Sequence, residues 1–448
     1  MLLRNVNEIT STRRPPLKPP LQGRLNCFQQ TMLDWNDLHP YNAVHGVQIS
    51  SPLDPARLQS AIHGTLEFHG LTGLTLNRKQ GTFQYAGGPA THEIKTIVVP
   101  DNPSEALRAE IERQVNTRFD SHGEFQPFRF FVVAEKSSFS LGLVYFHTVA
   151  DAVSIVRLLM DIYRAYLGEV PAQPPQRFNL LPGNGRFNPL RFVKQLASFP
   201  ARLGLLRHCL RAGCRDANDG NNRFEHFPLP PETLRTLLAT AKAWDVTLND
   251  LFIALLLRCC APGAAQRLRA SHRRRLAIGC IVNTRSELGL ADPEAFGLFL
   301  GSFIVAHETP DDLSLRALAA DIRRQTRELK QRKDYVGTSL EMFLGRSLLG
   351  FFSTERRKKL YQKHYPLRGG VTNLNLNSLC PPTSGEKPAN YFRGVSTGPV
   401  TPLVLSVTTV RDVVHVGMTF RSTAFTERDI EQIKNDFIKM LAGLNSCP

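Results

Sequence analysis

Residues 145–168 read YFHTVADAVSIVRLLMDIYRAYLG, and this stretch decides how the chain is interpreted. It is preceded by residues 139–146, FSLGLVYF, an uncharged run that predicts a strand delivering His147 at its end. From Asp151 onward, apolar residues recur at Ala152, Ile155, Val156, Leu159, Ile162, Tyr163 and Tyr166. That is a helical stripe, and Gly168 is a natural stop. A histidine held at a strand end by packed neighbours can keep one ring nitrogen on a cavity, which suits a general base near neutral pH. The same letters also fit a core histidine followed by an aspartate that only caps a helix. A second His-x-x-x-Asp occurs at His307–Asp311, where Pro310 and the acidic pair look like an ordinary loop capping the next helix. There is no G-x-S-x-G, which argues against a serine hydrolase of the nucleophile-elbow type.

Outward from this stretch, strand and helix signals alternate. Strands are expected at 43–50, 93–99, 127–134 and 138–146, and helices at 28–33, 54–68, 104–119 and 152–167. After residue 170 the composition shifts to Pro, Gly, Asn and Gln. From about 224 the alternation resumes, with helices at 231–244, 247–260, 313–333 and 426–441, and strands at 275–282, 299–306, 402–410 and 413–420. The expected organisation is a flexible lead at 1–24, a first α/β unit at 25–170, a linker with a basic amphipathic helix at 171–223, and a second α/β unit at 224–448.

The chain has 448 residues, enough for two or three domains with a sizeable core. Lys and Arg number 55 against 39 Asp and Glu, a formal charge of +16 that attracts phosphate-bearing partners without choosing among them. The eight cysteines form no CxxC pair, and Cys259 and Cys260 fall in an apolar helical stretch where buried free thiols are expected. The basic, Pro-rich residues 1–20 lack the apolar core of a signal peptide, and no apolar run approaches a bilayer span. A cytoplasmic protein is expected, with peripheral membrane contact open through the amphipathic stretch 190–211. Basic clusters at 267–275, 323–333 and 346–363 fit a docking surface for coenzyme A phosphates or an acidic carrier protein, an anionic membrane, a nucleic acid, or simply a solvated face. His63, Glu67 and His69 lie close together, but nothing completes a metal shell, and no metal is expected.

The 145–168 segment resembles the HHxxxDG region of the chloramphenicol acetyltransferase-like superfamily. That superfamily includes condensation domains of peptide synthetases, wax ester synthases, polyketide-associated acyltransferases and the plant BAHD enzymes. Further similarities follow in order: Ile281-Val282-Asn283-Thr284-Arg285 then Phe296-Gly297, Gly370-Val371-Thr372-Asn373-Leu374, and residues 396–426 at the C-terminal hairpin and closing helix. Phe146 stands in place of the first His, Ala152 in place of the Gly, and Asn375 where the Gly of S-N-L-G would fall. The DFGWG segment of the plant enzymes is absent.

The resemblance implies an α/β fold of two similar acetyltransferase-like, mixed-sheet subdomains with an active-site tunnel between them. It implies an acyltransferase that moves an acyl group from a coenzyme A or acyl-carrier-protein thioester to a hydroxyl or amine, in lipid or secondary-metabolite biosynthesis. His147 would be the general base. Asp151 and Arg285 would pair to support the site, with a solvated arginine as the alternative for Arg285. Asn373 would lie near the oxyanion or the tunnel wall, or else be a plain turn residue. No permanently bound cofactor is implied, and a monomer is workable. Two other functions stand beside this one: a non-catalytic, condensation-like protein that binds a carrier protein, and a basic nucleic-acid-binding protein.

Overall fold

The computed structural model describes residues 21–98, 101–169, 177–180, 204–216, 218–265, 269, 272–290, 295–363, 367–379 and 388–444. In the first half, strands β1 (Asn42–Ile49), β2 (Ile94–Val98), β3 (Phe128–Ala134) and β4 (Phe139–Phe146) accompany helices α1 (Cys27–Leu38), α2 (Pro55–His69), α3 (Pro103–Asn116) and α4 (Ala152–Leu167). In the second half, strands β5 (Asn222–Pro228), β6 (Leu276–Asn283), β7 (Leu300–His307), β8 (Gly369–Asn375), β9 (Tyr391–Val395), β10 (Leu403–Val410) and β11 (Val413–Arg421) accompany six longer helices among the described residues. These are α5 (Pro231–Ala243), α6 (Leu248–Cys260), α7 (Leu315–Gln331), α8 (Thr338–Leu349), α9 (Thr354–Lys363) and α10 (Glu427–Gly443).

Among the described residues these strands form two large mixed sheets, beside a four-stranded and a two-stranded one. The first runs β9-β1-β4-β3-β2, antiparallel except for the β3–β2 pair. The second runs β5-β11-β10-β8-β6-β7, with β8 parallel to both neighbours. Every residue of β4 is buried, as expected of a central strand covered on both faces. Ile62 and Leu66 of α2, Ile155 and Leu159 of α4, and Ile111 and Val115 of α3 share its core. Fully burying each such side chain contributes about 1.5–3 kcal/mol. A second core joins α5, α6, α7 and α10 to the other sheet.

The two halves are not as separate as the expected boundaries imply. β9 comes late in the chain yet pairs with β1, so the second half completes the first sheet. The sheets meet where β9 crosses β11: a Cβ on Gly417 would lie 2.2 Å from the Arg393 carbonyl oxygen, a contact that only glycine permits.

Other expectations change at the edges. Gln22–Arg24, assigned to the flexible lead, pairs antiparallel with residues 82–84, because an exposed strand edge there accepts main-chain hydrogen bonds. Of the basic amphipathic helix expected within 171–223, the described residues are helical at 204–207, and the helix then stops. Leu210 N–H donates to Arg275 O and Arg275 N–H to His208 O, which pins the chain as an extended bridge. Residues 1–20, most of the 171–223 linker (171–176, 181–203 and 217) and part of the 267–275 basic cluster lie outside the described residues. No helix among the described residues is long and apolar enough to cross a membrane.

Candidate active site

Asp151 is the N-cap of α4: its side chain accepts from Ser154 N–H, and Gly168 closes the helix in the left-handed region at φ 74°. The five residues before α4 are held from three directions. Gln29 Nε2 of α1 donates to Thr148 O at 2.9 Å. His147 N–H donates to Tyr41 O at 3.3 Å, and Asp151 N–H to Gly297 O at 2.9 Å. Gly297 supplies that carbonyl from a backbone at φ 152°, conformational space open to glycine.

His147 is buried between two tyrosines. The Tyr41 ring stacks on it at 5.4 Å and Tyr145 meets it edge-on at 5.4 Å. Its Nδ1 lies 3.2 Å from Ala150 O. A carbonyl only accepts, so Nδ1 carries the proton and Nε2 keeps its lone pair. Burial pushes the imidazole below its ordinary value, partly offset by the Ala150 hydrogen bond and by Asp151, with nearby Arg393 lowering it further. The ring is therefore neutral near pH 7.

Asp151 does not contact this ring. Arg285, which follows β6 in the other half, grips it with two hydrogen bonds, Nη1 to Oδ2 at 2.7 Å and Nη2 to Oδ1 at 3.0 Å. The fork-on-carboxylate arrangement is the strong form of this pair. Arg285 Nη2 also donates to Ser154 Oγ at 2.8 Å, Phe299 N–H donates to Asp151 Oδ2 at 3.0 Å, and the guanidinium lies over the Phe299 ring. Both charges are almost fully withdrawn from water. The structure thus brings His147, Asp151 and Arg285 together.

His147 lines a cavity of about 420 Å³ between the halves. Its walls include Trp35 and Tyr41 from the first half, Gly279, Ile281, Ser302 and Thr372 from the second, and Met342 and Leu349 of α8. A larger groove of about 630 Å³ lies between α3, β5 and α10, away from His147, and no histidine of the HxxxD segment lines it.

Asn373 is not part of this wall. Along β8 successive side chains alternate, so Thr372 lines the cavity and Asn373 is exposed. The oxyanion-or-tunnel assignment for Asn373 is therefore corrected. The substituted positions have distinct surroundings. Phe146 is fully buried against Phe119 and Phe125, on the core side of the strand. Ala152 borders the cavity.

Two cavity residues escaped the sequence reading. His45 of β1 donates to or accepts from Tyr391 Oη at 2.6 Å, and burial, Arg393 and His147 hold it well below the usual histidine value. Arg393 of β9 is buried among neutral acceptors, with Nη2 donating to Thr372 O and Val407 O at 2.9 Å each. Burial pushes it down to about 10. A lone His inside a buried strand carries no signal of its own, and β9 is not among the strands expected from the sequence.

His63, Glu67 and His69 do not converge. His63 Nε2 meets His92 O, Glu67 accepts from Ala90 N–H, and His69 pairs with Asp161 at 3.1 Å under Phe178. Cys259, Cys260 and Cys280 are buried free thiols, and burial pushes Cys260 up to about 11.

Two sheets joined through a strand exchange frame a cavity at the HxxxD loop, and the solved structures that share this fold are condensation domains and a related cyclization-docking bidomain. No family model matches the chain, and no curated protein is significantly similar to it. Among solved structures, it is similar to the condensation domain of the monacolin K polyketide synthase MokA at TM-score 0.64 and 14% identity, over 96% of this chain and 99% of that one. It is similar to the EpoB cyclization-docking bidomain of a peptide synthetase from Sorangium cellulosum at TM-score 0.66 and 14% identity, over 95% and 86%. A substituted starter condensation domain of rhizomide synthetase RzmA, in complex with C8-CoA and Leu-SNAC, gives TM-score 0.66 and 13% identity over 95% of each chain.

Proposed function

We propose that the chain transfers an acyl group from a thioester, on coenzyme A or an acyl carrier protein, to a hydroxyl or amine acceptor. The observation that carries this reading is the neutral imidazole of His147, fixed through Nδ1–H on Ala150 O at the edge of a cavity between the halves. In the reaction, Nε2 takes the proton of the acceptor O–H or N–H as the heteroatom bonds to the thioester carbon. The tetrahedral adduct then collapses, the C–S bond breaks, and the leaving sulfur receives that proton from Nε2. No metal and no covalent enzyme intermediate enter these steps. Proton transfer by a positioned side chain is worth about 10²–10⁴ in rate.

Asp151 and Arg285 are positioning residues in this scheme. They hold the loop that carries His147 and tie it to the second half, without touching substrate. The missing first histidine removes nothing from the cavity, since Phe146 lies in the core. That favours a working enzyme over a scaffold that only binds a carrier protein. The test is thiol release from short, medium and long acyl-coenzyme A donors with a mixed alcohol and amine pool, wild type against His147→Ala. Release that falls at least a hundredfold in the variant supports the reading. Equal release from both proteins overturns it.

A further inference from the structure

Among the described residues eleven large apolar side chains are exposed, and five of them lie between Phe343 and Leu360. They belong to one helix–turn–helix. Phe343 and Leu348 (68% exposed) are on α8, Phe351 (91%) and Phe352 are in the turn, and Leu360 is on α9. Two adjacent phenylalanines at a solvent-facing tip are an unusual thing for an isolated protein to leave uncovered. The charge beside them has one sign: α9 carries a single acid, Glu355, against Arg356, Arg357, Lys358, Lys359 and Lys363. Arg356 and Lys359 are exposed. On its inner side the same hairpin lines the cavity, through Met342, Arg346, Leu349, Gly350, Arg357 and Tyr361.

We propose that this hairpin docks the protein on an anionic lipid bilayer. Phe351, Phe352 and Leu348 enter the boundary between headgroups and acyl chains, and Arg356, Lys358 and Lys359 meet the lipid phosphates. Phe351 and Phe352 sit on a solvent-exposed turn rather than in a groove, which fits a fluid apolar phase better than the packed face of a carrier protein. Because the hairpin is also a cavity wall, docking brings the site to the membrane, where a long-chain acyl substrate or product resides. That consequence rests on the acyl-transfer reading; the docking itself does not depend on His147.

The experiment is co-sedimentation of the full chain with phosphatidylcholine vesicles, with and without phosphatidylglycerol, at low and high salt. Wild type is compared with Phe351→Ser/Phe352→Ser, Arg356→Glu/Lys359→Glu and His147→Ala. Wild type and His147→Ala are expected to bind the anionic vesicles equally, and at least tenfold more weakly without phosphatidylglycerol or at high salt. Each surface variant is expected to lose at least tenfold. Both should retain wild-type thiol release from a soluble short-chain donor, showing that the fold and site are intact. Absence of wild-type binding to anionic vesicles at low salt overturns the proposal, as does undiminished binding by the phenylalanine variant. Binding of an acidic carrier protein that needs Phe351 and Phe352, without vesicle binding, also overturns it and assigns the patch to a protein partner.

Discussion

The chain carries His-x-x-x-Asp twice, each time at the end of a sheet strand and ahead of a helix, and the two copies are wired in opposite ways. His147 follows a central strand and donates through Nδ1 to Ala150 O. His307 ends β7, the edge of its sheet, and its Nδ1 accepts from Thr309 N–H at 2.8 Å, so its proton sits on Nε2, facing Asp321 at 3.4 Å. Asp151 caps α4 and receives Arg285 from the other half. Asp311 is exposed, and α7 is capped by Ser314. Equal spacing along the chain therefore does not make an equal site. The first copy differs because its carboxylate is both a helix cap and one side of a contact between halves, which fixes the histidine loop in place.

The largest effect that can break this comparison is on rate. His147→Ala should reduce thiol release by about 10²–10⁴, whereas His307→Ala should change it less than twofold. Comparable losses in kcat for the two variants would show that the tautomer and cavity do not distinguish the copies.

Stability separates the aspartates next. Arg285→Met leaves Asp151 as a buried charge without its partner, and this should cost about 3–5 kcal/mol in urea unfolding. The double variant Asp151→Asn/Arg285→Met should be more stable than the single one, because the stranded charge is gone. Asp311→Asn should fall within about 0.5 kcal/mol of wild type. A mild effect of Arg285→Met would mean that the pair is solvated and does not join the halves.

The parts that were legible in the sequence are those where local patterning and tertiary structure agree. Helix α4 has the boundaries that its apolar stripe and Gly168 predict, and strands β3 and β4 and the β10–β11 hairpin follow likewise. The exchanged strand β9 was not legible, because its partner β1 lies some 350 residues earlier and no local signal encodes that pairing. The pairing of Asp151 with Arg285 came only from resemblance, since nothing near either residue names the other. His45 and Arg393 became visible as cavity residues only once β1 and β9 lay side by side.

Acidity sharpens the comparison in a different way. The base form of His147 is the neutral ring, and burial disfavours its protonation, so the acidic limb of kcat/KM should lie below the ordinary histidine value of about 6.5. A limb above that value would contradict the buried, neutral ring. Unfolding should respond in the same range. Burial holds His39, His226 and His415 down at about 4. Between about 6.5 and 4 the unfolded chain binds protons that the folded chain refuses. Stability present above that window is lost as pH falls through it, by at most about 1.4 kcal/mol per unit for each such histidine. Urea midpoints that stay flat from pH 7 to pH 5 would contradict this.

The smallest effect tests the face of β8. Thr372 lines the cavity and holds Arg393 through its carbonyl and, at 3.4 Å, its hydroxyl, whereas Asn373 is exposed one residue on. Asn373→Ala should leave turnover within twofold of wild type. Thr372→Val keeps the carbonyl contact and the side-chain volume but removes the hydroxyl from the cavity wall, so a reduction of several-fold is expected, carried by KM more than by kcat. A tenfold loss in Asn373→Ala, with Thr372→Val unaffected, would mean that β8 presents its other face to the substrates. The register of β8 against β10, Asn373 opposite Val407, would then be wrong by one residue, because a one-residue slip exchanges the faces of a strand.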